Sequence, residues 1–332
     1  MVIHESIPSY GKYVLDEFEF ENGEVLKDVE VEYIARGTPE YDENGNIINA
    51  VVFCHRFNGS CHSIDDFSMF FAENGYFNEF NYFYICISSL GFPNSCSPST
   101  TNLKYNFPSY TIFDRVNFRR QFLREYFNID HVLGVFAIGL GGFEAYTWAV
   151  EYPDEMDFIV VMYSSFKTYG YRYVASKVID GIIESSDEYY NEIYSESLSR
   201  ITVSIFKLIY SNYFSKKIFS TMSNDQIDAL MDDFVDEGLF ADIYDIKYRN
   251  DTVLNYDVED KLGNIKAKTL LLSPRDDIYY TPELDTIPAQ KLINGAQVFI
   301  YDSKRDYTDE EDFSLFTDVL IDFLKDFEKN RK

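Results

Sequence analysis

The sequence is short of basic residues, and this shortage excludes two classes of partner. It contains 29 lysines and arginines against 56 aspartates and glutamates, which gives a formal net charge of -27. Such a surface repels the phosphates of nucleic acids and the anionic headgroups of membranes. We therefore expect neither a nucleic acid nor a membrane among the partners of this acidic protein.

Long hydrophobic runs are missing as well. The longest apolar stretches, such as FIVVMY (158–163), are far shorter than the ~20 residues that a membrane-spanning helix needs. The first residues show no basic segment followed by an apolar run. We therefore expect no secretory signal and a cytoplasmic location.

Cysteine and histidine are scarce. The four cysteines match no common zinc spacing, and a chain of this size does not need a disulfide framework. We expect reduced thiols and no bound metal. The cysteines are Cys54, Cys61, Cys86 and Cys96, and the only histidines are His4, His55, His62 and His131. Since imidazole is the usual base of hydrolytic sites, no loop after residue 131 can supply such a base.

Apolar segments alternate with helical patterns along most of the chain. Eight segments have the apolar or alternating character of β-strands, at 13–20, 29–34, 50–54, 82–88, 132–138, 158–165, 268–273 and 296–302. The clearest helical patterns between them cover 111–127, whose arginines should remain in water, and 308–329, which opens with the capping-box pair Thr308 and Glu311. This alternation predicts an α/β fold with a mostly parallel, eight-stranded sheet flanked by helices.

One region interrupts the alternation. Residues 167–251 show helical patterns and no convincing strand, most clearly at 199–214 and 224–238, where Gly238 is the predicted stop. We interpret this block as a helical lid inserted into the fold. The predicted organisation is a first core part at 1–166, the lid insertion at 167–251 and a second core part at 252–332.

The segment VFAIGLGG (135–142) has the layout of a strand, a glycine-tight turn and a helix. In α/β-hydrolases the pattern G-x-S-x-G presents a nucleophilic serine on such a turn. Here the five corresponding residues run from Ala137 to Gly141, and Gly139 stands at the nucleophile position.

Several ordered segments resemble the homoserine O-acetyltransferase family of α/β-hydrolase-fold proteins. They are NAVVFCHRFNGSCHS (49–63), YFYICISSLGFPNSCSPST (82–100), FPSYTIFDRVNFRRQFL (107–123), and the glycine turn together with YPD (152–154). The resemblance implies an α/β-hydrolase fold, a chemistry of acyl transfer or hydrolysis, and a homodimer formed through lid helices. No cofactor is expected, and acetyl-CoA would apply only if the family activity were retained.

Carried over residue by residue, the resemblance implies a degenerate catalytic triad. The nucleophilic serine falls on Gly139, the aspartate on Asp276 with Asp277 one register away, and the histidine on Arg305. Glycine has no reacting atom, and an arginine stays protonated because its pKa lies above ~12. We therefore predict that the chain is inactive by the usual Ser-His-Asp mechanism.

The resemblance also assigns residues to other positions of the family's pocket. The backbone N–H groups of Phe57 and Leu140 match the oxyanion-hole positions of the family, Asp306 matches a substrate-facing aspartate, and Arg275 adds positive charge. The leading hypothesis is a pseudoenzyme that binds an unknown small molecule or protein.

Two alternatives stay open. An active acyltransferase or hydrolase would use a relocated nucleophile, Ser60, Cys61 or Cys96, with His55 or His62 as its base. A structural or regulatory subunit would instead pair with itself or with another protein through its helical lid.

Overall fold

The computed structural model describes residues 9–67, 75–194, 196–212, 214, 216–303 and 310–331. Several residues singled out in the sequence, namely His4, Arg305, Asp306 and the predicted cap Thr308, lie outside the described residues.

Eight strands form one sheet, in the order β1-β2-β4-β3-β5-β6-β7-β8. The first two strands form an antiparallel hairpin, β2 pairs antiparallel with β4, and every other neighbouring pair is parallel. The strands are β1 Tyr10–Glu19, β2 Val25–Arg36, β3 Ala50–Cys54, β4 Phe83–Ile87, β5 Val132–Ile138, β6 Met156–Met162, β7 Lys268–Pro274 and β8 Gln297–Tyr301. The predicted fold, a mostly parallel eight-stranded sheet, is confirmed.

Helices cover both faces of this sheet because its central strands are apolar on both sides. Every residue of β3, β4 and β5 is buried. Within the described ranges the α-helices are α1 Ile112–Phe127, α2 Leu140–Glu151, α3 Gly170–Glu184, α4 Asp187–Tyr190, α5 Glu196–Ser211, α6 Lys216–Thr221, α7 Asn224–Asp233, α8 Val235–Phe240, α9 Ile243–Leu254, α10 Ile287–Leu292 and α11 Glu310–Arg331. Shorter turns of 3₁₀ or π-helix lie at Cys61–Phe67, Tyr76–Glu79, Lys104–Asn106, Glu259–Asn264 and Pro282–Thr286. In the described part of the chain, no helix combines the length and the apolar character that crossing a membrane would take.

The arginines of α1 correct the sequence-based expectation that they remain in water. Arg115 and Arg119 are fully buried, and both pair with the buried carboxylate of Glu144 in α2. Arg120 is nearly buried and donates from Nε to Glu155 over 2.7 Å. A helical pattern predicts which face is apolar, but it cannot show that distant segments of the chain bring the carboxylates of Glu144 and Glu155 to the other face.

Between β6 and β7 the chain forms helices α3 to α9, which we call the helical insertion. Side chains of α3, α4, α5 and α9 share a small apolar cluster of their own. Gly238, the predicted stop, lies inside α8, so this prediction is wrong. A Cβ atom at Gly238 would lie 2.6 Å from the Cα of Val203 in α5, so the glycine allows close packing of two helices.

Candidate functional site

The turn between β5 and α2 has an unusual backbone conformation at Gly139. Its φ is 55° and its ψ is -118°, a combination that costs a non-glycine residue about 1–3 kcal/mol. Hydrogen bonds fix the turn, because Ser164 Oγ donates to the Gly139 carbonyl over 2.5 Å and the Gly139 N–H donates to the Met162 carbonyl over 3.2 Å. The turn therefore has the sharp strand-to-helix geometry that presents a nucleophile in hydrolases.

Gly139 is not required by packing. A Cβ atom added there would have the Arg56 Cβ at 3.7 Å and the Tyr280 hydroxyl at 3.8 Å as its nearest neighbours, which is ordinary van der Waals contact. The following glycines differ. A Cβ at Gly141 would lie 2.0 Å from the Cys54 carbonyl oxygen, and one at Gly142 would lie 2.1 Å from Ser164 Oγ. The turn thus needs its later glycines but has room for a side chain at Gly139.

A cavity opens beside Gly139, beyond the carboxyl ends of β3, β5, β6 and β7, where open α/β sheets bind ligands. Its volume is about 60 Å³. Most of its lining is apolar, and helices α3, α5 and α9 of the insertion form one wall. The lining residues are Arg56, Phe57, Gly139, Leu140, Tyr163, Ala175, Ser176, Ile179, Leu208, Ile209, Asn212, Asn250, Val253, Asp277, Tyr279 and Tyr280.

Asp277 is the acidic group of this cavity. It is 5% exposed, and its Oδ1 accepts hydrogen bonds of 2.8 Å from the backbone N–H groups of Tyr279 and Tyr280. Its Oδ2 is buried without a hydrogen-bond partner. Burial raises the pKa of the Asp277 carboxyl to about 7, although the two backbone donors oppose this shift. The carboxyl therefore changes its protonation state near neutral pH.

Asp276 and Arg275 were expected at the cavity, and the structure places both outside its described lining. Asp276 is exposed and is absent from the described cavity lining, so the structure puts Asp277, its neighbour in register, at the site. Arg275 is also exposed, and its Nε pairs with Asp302 at 3.0 Å instead of adding charge to the cavity. Adjacent residues of a tight loop point in different directions, and only the fold decides which of them points inward. The expectations for Arg305 and Asp306 fall outside the described residues and stay predictions.

Phe57 and Leu140, the two proposed oxyanion-hole positions, both line the cavity next to Gly139. Phe57 is held from the insertion side, because Arg249 of α9 donates from Nη1 to the Phe57 carbonyl over 2.7 Å. The guanidinium of Arg249 also lies 5.1 Å from the centre of the Phe57 ring. Both residues predicted for this role are thus brought to one edge of the cavity.

The candidate relocated nucleophiles are not at the cavity. Its described lining contains none of Ser60, Cys61 and Cys96. Both cysteines are buried, and burial raises the pKa of each thiol to about 12, so neither forms the reactive thiolate readily at neutral pH.

The candidate bases serve other contacts. The buried His55 accepts a hydrogen bond of 3.0 Å at Nε2 from the Ser89 N–H, and its Nδ1 lies 3.0 Å from the Arg56 carbonyl, to which it donates. Burial and the nearby Arg119 hold the pKa of His55 well below its usual value, so the ring is neutral. His62 is exposed and lies 3.7 Å from Asp65. His55 therefore supports the loop after β3, and neither histidine lines the described cavity.

Sequence reasoning missed several residues of the cavity. Tyr280 borders Gly139, and Ser176 and Asn250 come from the insertion, where Asn250 Nδ2 donates to the Ser176 carbonyl over 2.9 Å. The only available signal was that Tyr279 and Tyr280 follow the aspartate pair in SPRDDIYYTP. Helical periodicity in the insertion does not distinguish a cavity-facing residue from a core residue.

Comparisons with known proteins place these observations in a family. No family model matches the chain. It is 37% identical over 322 residues to a probable acyltransferase of Methanothermobacter thermautotrophicus, covering 96% of this chain and 98% of that protein. It is 29% identical over 163 residues to a homoserine O-acetyltransferase of Deferribacter desulfuricans, covering 43% of this chain and 42% of that protein. The crystal structure of homoserine O-acetyltransferase from Bacillus anthracis superposes with a TM-score of 0.82 at 18% identity, covering 95% of this chain and 97% of that one. The near-complete match to the first relative and the shared fold of the last show that this chain belongs to the homoserine O-acetyltransferase-like family of α/β-hydrolase-fold proteins.

Proposed function

We propose that this chain is a pseudoenzyme of its family, which binds a small ligand in the cavity beside Gly139 and does not catalyse acyl transfer. The observation that carries the proposal is the glycine at the nucleophile position of an intact elbow with room for a side chain. No histidine follows residue 131 in the sequence, so a triad base is missing from the later loops as well. A triad needs a nucleophile, a base and an orienting group, and two of these three are lost.

The cavity suggests the chemical class of the ligand. Its modest volume of about 60 Å³ suits a small molecule. Asp277 Oδ2 offers a donor or an acceptor without a protein partner, since its pKa of about 7 allows both protonation states. The N–H groups of Phe57 and Leu140 suit a carbonyl or carboxylate oxygen. A short-chain acid or ester combines these features.

A blocking variant tests this proposal. Ala175 lines the cavity from α3, whereas Val178 of the same helix is 44% exposed. We expect acetate, butyrate or O-acetylhomoserine to give saturable chemical-shift changes in the wild type. We expect Ala175→Phe to abolish these changes and Val178→Phe to retain them. Ligand binding that survives Ala175→Phe contradicts the assigned cavity.

The loss of catalysis has a separate test. It is contradicted if the protein consumes acetyl-CoA in the presence of homoserine and Asp277→Asn abolishes this consumption.

A second candidate function is a subunit that pairs with a copy of itself through the helical insertion. This candidate is supported by exposed apolar side chains there, among them Tyr171, Val174 and Val178 on α3 and Leu239 and Phe240 on α8, the last of which is 90% exposed. We expect a homodimer in solution. Light scattering should report a monomer for Val174→Glu with Phe240→Glu and a dimer for the control Val25→Glu on β2, whose side chain is 48% exposed. A wild-type protein that is strictly monomeric contradicts this candidate.

A further inference from the structure

Three side chains with different donor atoms meet at the outer edge of the loop that follows β3. Glu32 lies on β2, and Cys61 and His62 begin the 3₁₀ turn Cys61–Phe67. One oxygen, one sulfur and one nitrogen of these residues lie within 4.8 Å of one another. Glu32 and Cys61 are buried, and His62 opens the group to solvent. None of the three lines the described part of the cavity beside Gly139.

Glu32 receives its hydrogen bonds from neutral groups, and Lys12, its cross-strand neighbour on β1, forms an ion pair with Glu30 instead. The Tyr10 hydroxyl donates to Oε1 over 2.9 Å, and the Ser88 hydroxyl donates to Oε2 over 2.8 Å. Both donors are neutral, and the residues that the structure describes give Glu32 no lysine or arginine partner within ion-pair distance. A buried carboxylate without a cation is costly. Its oxygens can accept further bonds, and the Cys61 thiol already lies beside them.

Neighbouring polar groups contact the Cys61 backbone and the Glu32 carboxylate and lie beside the His62 ring. The Cys61 N–H donates to Ser88 Oγ over 2.9 Å, so Ser88 connects the backbone of the cysteine to the carboxylate of Glu32. The Asp65 carboxylate lies 3.7 Å from Nδ1 of the His62 ring. Histidines that bind metals commonly have a carboxylate beside the ring, which holds it in position.

We propose that Glu32, Cys61 and His62 bind a Zn²⁺ ion, with water as the fourth ligand. Thiolate sulfur, imidazole nitrogen and carboxylate oxygen are the usual zinc ligands, at about 2.3, 2.0–2.1 and 2.0–2.2 Å. Such bond lengths require the donor atoms, which lie within 4.8 Å of one another, to approach to about 3.5 Å, and we assign this movement to the exposed His62 side chain. On binding, the Cys61 S–H bond breaks, a Zn–S bond forms and the proton leaves to solvent. The two negative ligands neutralise the ion.

The site would stabilise the approach to the cavity. It joins β2 to the loop that carries Phe57, a few residues before Cys61 in the sequence. The expectation of no bound metal rests on cysteine spacing, which cannot include Glu32, 29 residues before Cys61. The site is independent of the proposed pseudoenzyme function, because none of its ligands takes part there.

Metal titration of the chelator-treated full chain tests the proposal. We expect one Zn²⁺ per chain in competition with a chromophoric chelator. Co²⁺ should produce a thiolate-to-cobalt charge-transfer band in the near ultraviolet. Cys61→Ser should abolish this band, and Cys96→Ser, which changes another buried thiol, should retain it.

Variants of the other ligands keep the test decisive if Cys61→Ser fails to fold. We expect His62→Ala to weaken Zn²⁺ binding at least tenfold, while His131→Ala, which changes an exposed histidine beside Asp157, leaves it unchanged. Glu32→Gln should also weaken binding. The proposal is overturned if Co²⁺ gives no charge-transfer band. It is equally overturned if His62→Ala and Glu32→Gln both bind Zn²⁺ like the wild type, or if excess Mg²⁺ displaces the ion as it would from a merely acidic surface.

Discussion

The N-terminal end and the middle of helix α2 have different environments. At the start of the helix, Gly139 borders the cavity, and an added Cβ atom there would meet nothing closer than 3.7 Å. Further along, Glu144 is completely buried and pairs with both Arg115 and Arg119. A change at Gly139 removes no ion pair, whereas loss of Glu144 leaves two buried guanidinium groups without a counter-charge. The fold therefore tolerates a change in the reacting position far better than a change in the layer beneath it.

Glu144→Ala should break this comparison with the largest effect. Removing one member of a buried ion-pair group costs about 3–5 kcal/mol of the free energy of unfolding, a large part of the stability of an ordinary domain. Urea denaturation measures the loss. Glu151→Ala is the matched control, because Glu151 pairs with Lys261 at the partly exposed end of the same helix and should cost less than about 1 kcal/mol. Equal losses in the two variants would refute the distinction.

Gly139→Ser should have an intermediate effect. Since a Cβ atom at this position meets only ordinary contacts, its positive φ is the main unfavourable factor, and the free energy of unfolding should fall by about 1–3 kcal/mol. Gly141→Ala should cost more, because its Cβ would overlap the Cys54 carbonyl oxygen at 2.0 Å. Adding Arg305→His to Gly139→Ser should then restore hydrolysis of p-nitrophenyl acetate. A Gly139→Ser protein that is less stable than Gly141→Ala would show that the elbow has no room for a nucleophile.

Asp277 has an effect on stability that depends on pH. Its folded-state pKa, about 7, lies above the ordinary value of 3.8, so the folded chain holds this proton over a range in which the unfolded chain has released it. Stability therefore falls as pH rises from about 4 to 7, with a contribution of at most ~1.4 kcal/mol per pH unit from this group. Asp277→Asn cannot ionise, so its stability relative to the wild type should increase over this window. A stability difference that stays constant with pH would contradict the raised pKa.

The central strands could be predicted from sequence because a parallel strand covered on both faces must be apolar throughout. AVVFC and VLGVFAI satisfy this condition, and they form β3 and β5. The elbow could be predicted because a sharp turn between a strand and a helix leaves a local glycine pattern. The arginines of α1 could not, because their burial depends on Glu144, more than 20 residues further along the chain.

The candidate site divides in the same way. Gly139, Phe57 and Leu140 follow buried strands in the sequence, and the parallel sheet brings the ends of those strands to one edge. The inward residue of the pair Asp276 and Asp277 depends on the course of the loop after β7. The cavity wall formed by the insertion depends on helix packing, which its amphipathic pattern does not specify.

The sequence by itself determined the succession of strands and helices along the chain, the glycine at the nucleophile position and the absence of a histidine from the later loops. These properties are local, or they are matters of composition. Only the tertiary structure decided that Asp277 is the buried carboxyl and that Arg115 and Arg119 are paired inside the protein. It also decided that Glu32 lies beside Cys61 and His62. The physical reason is that burial and ion pairing depend on residues distant in the chain, which become neighbours only when the sheet and its helices are assembled.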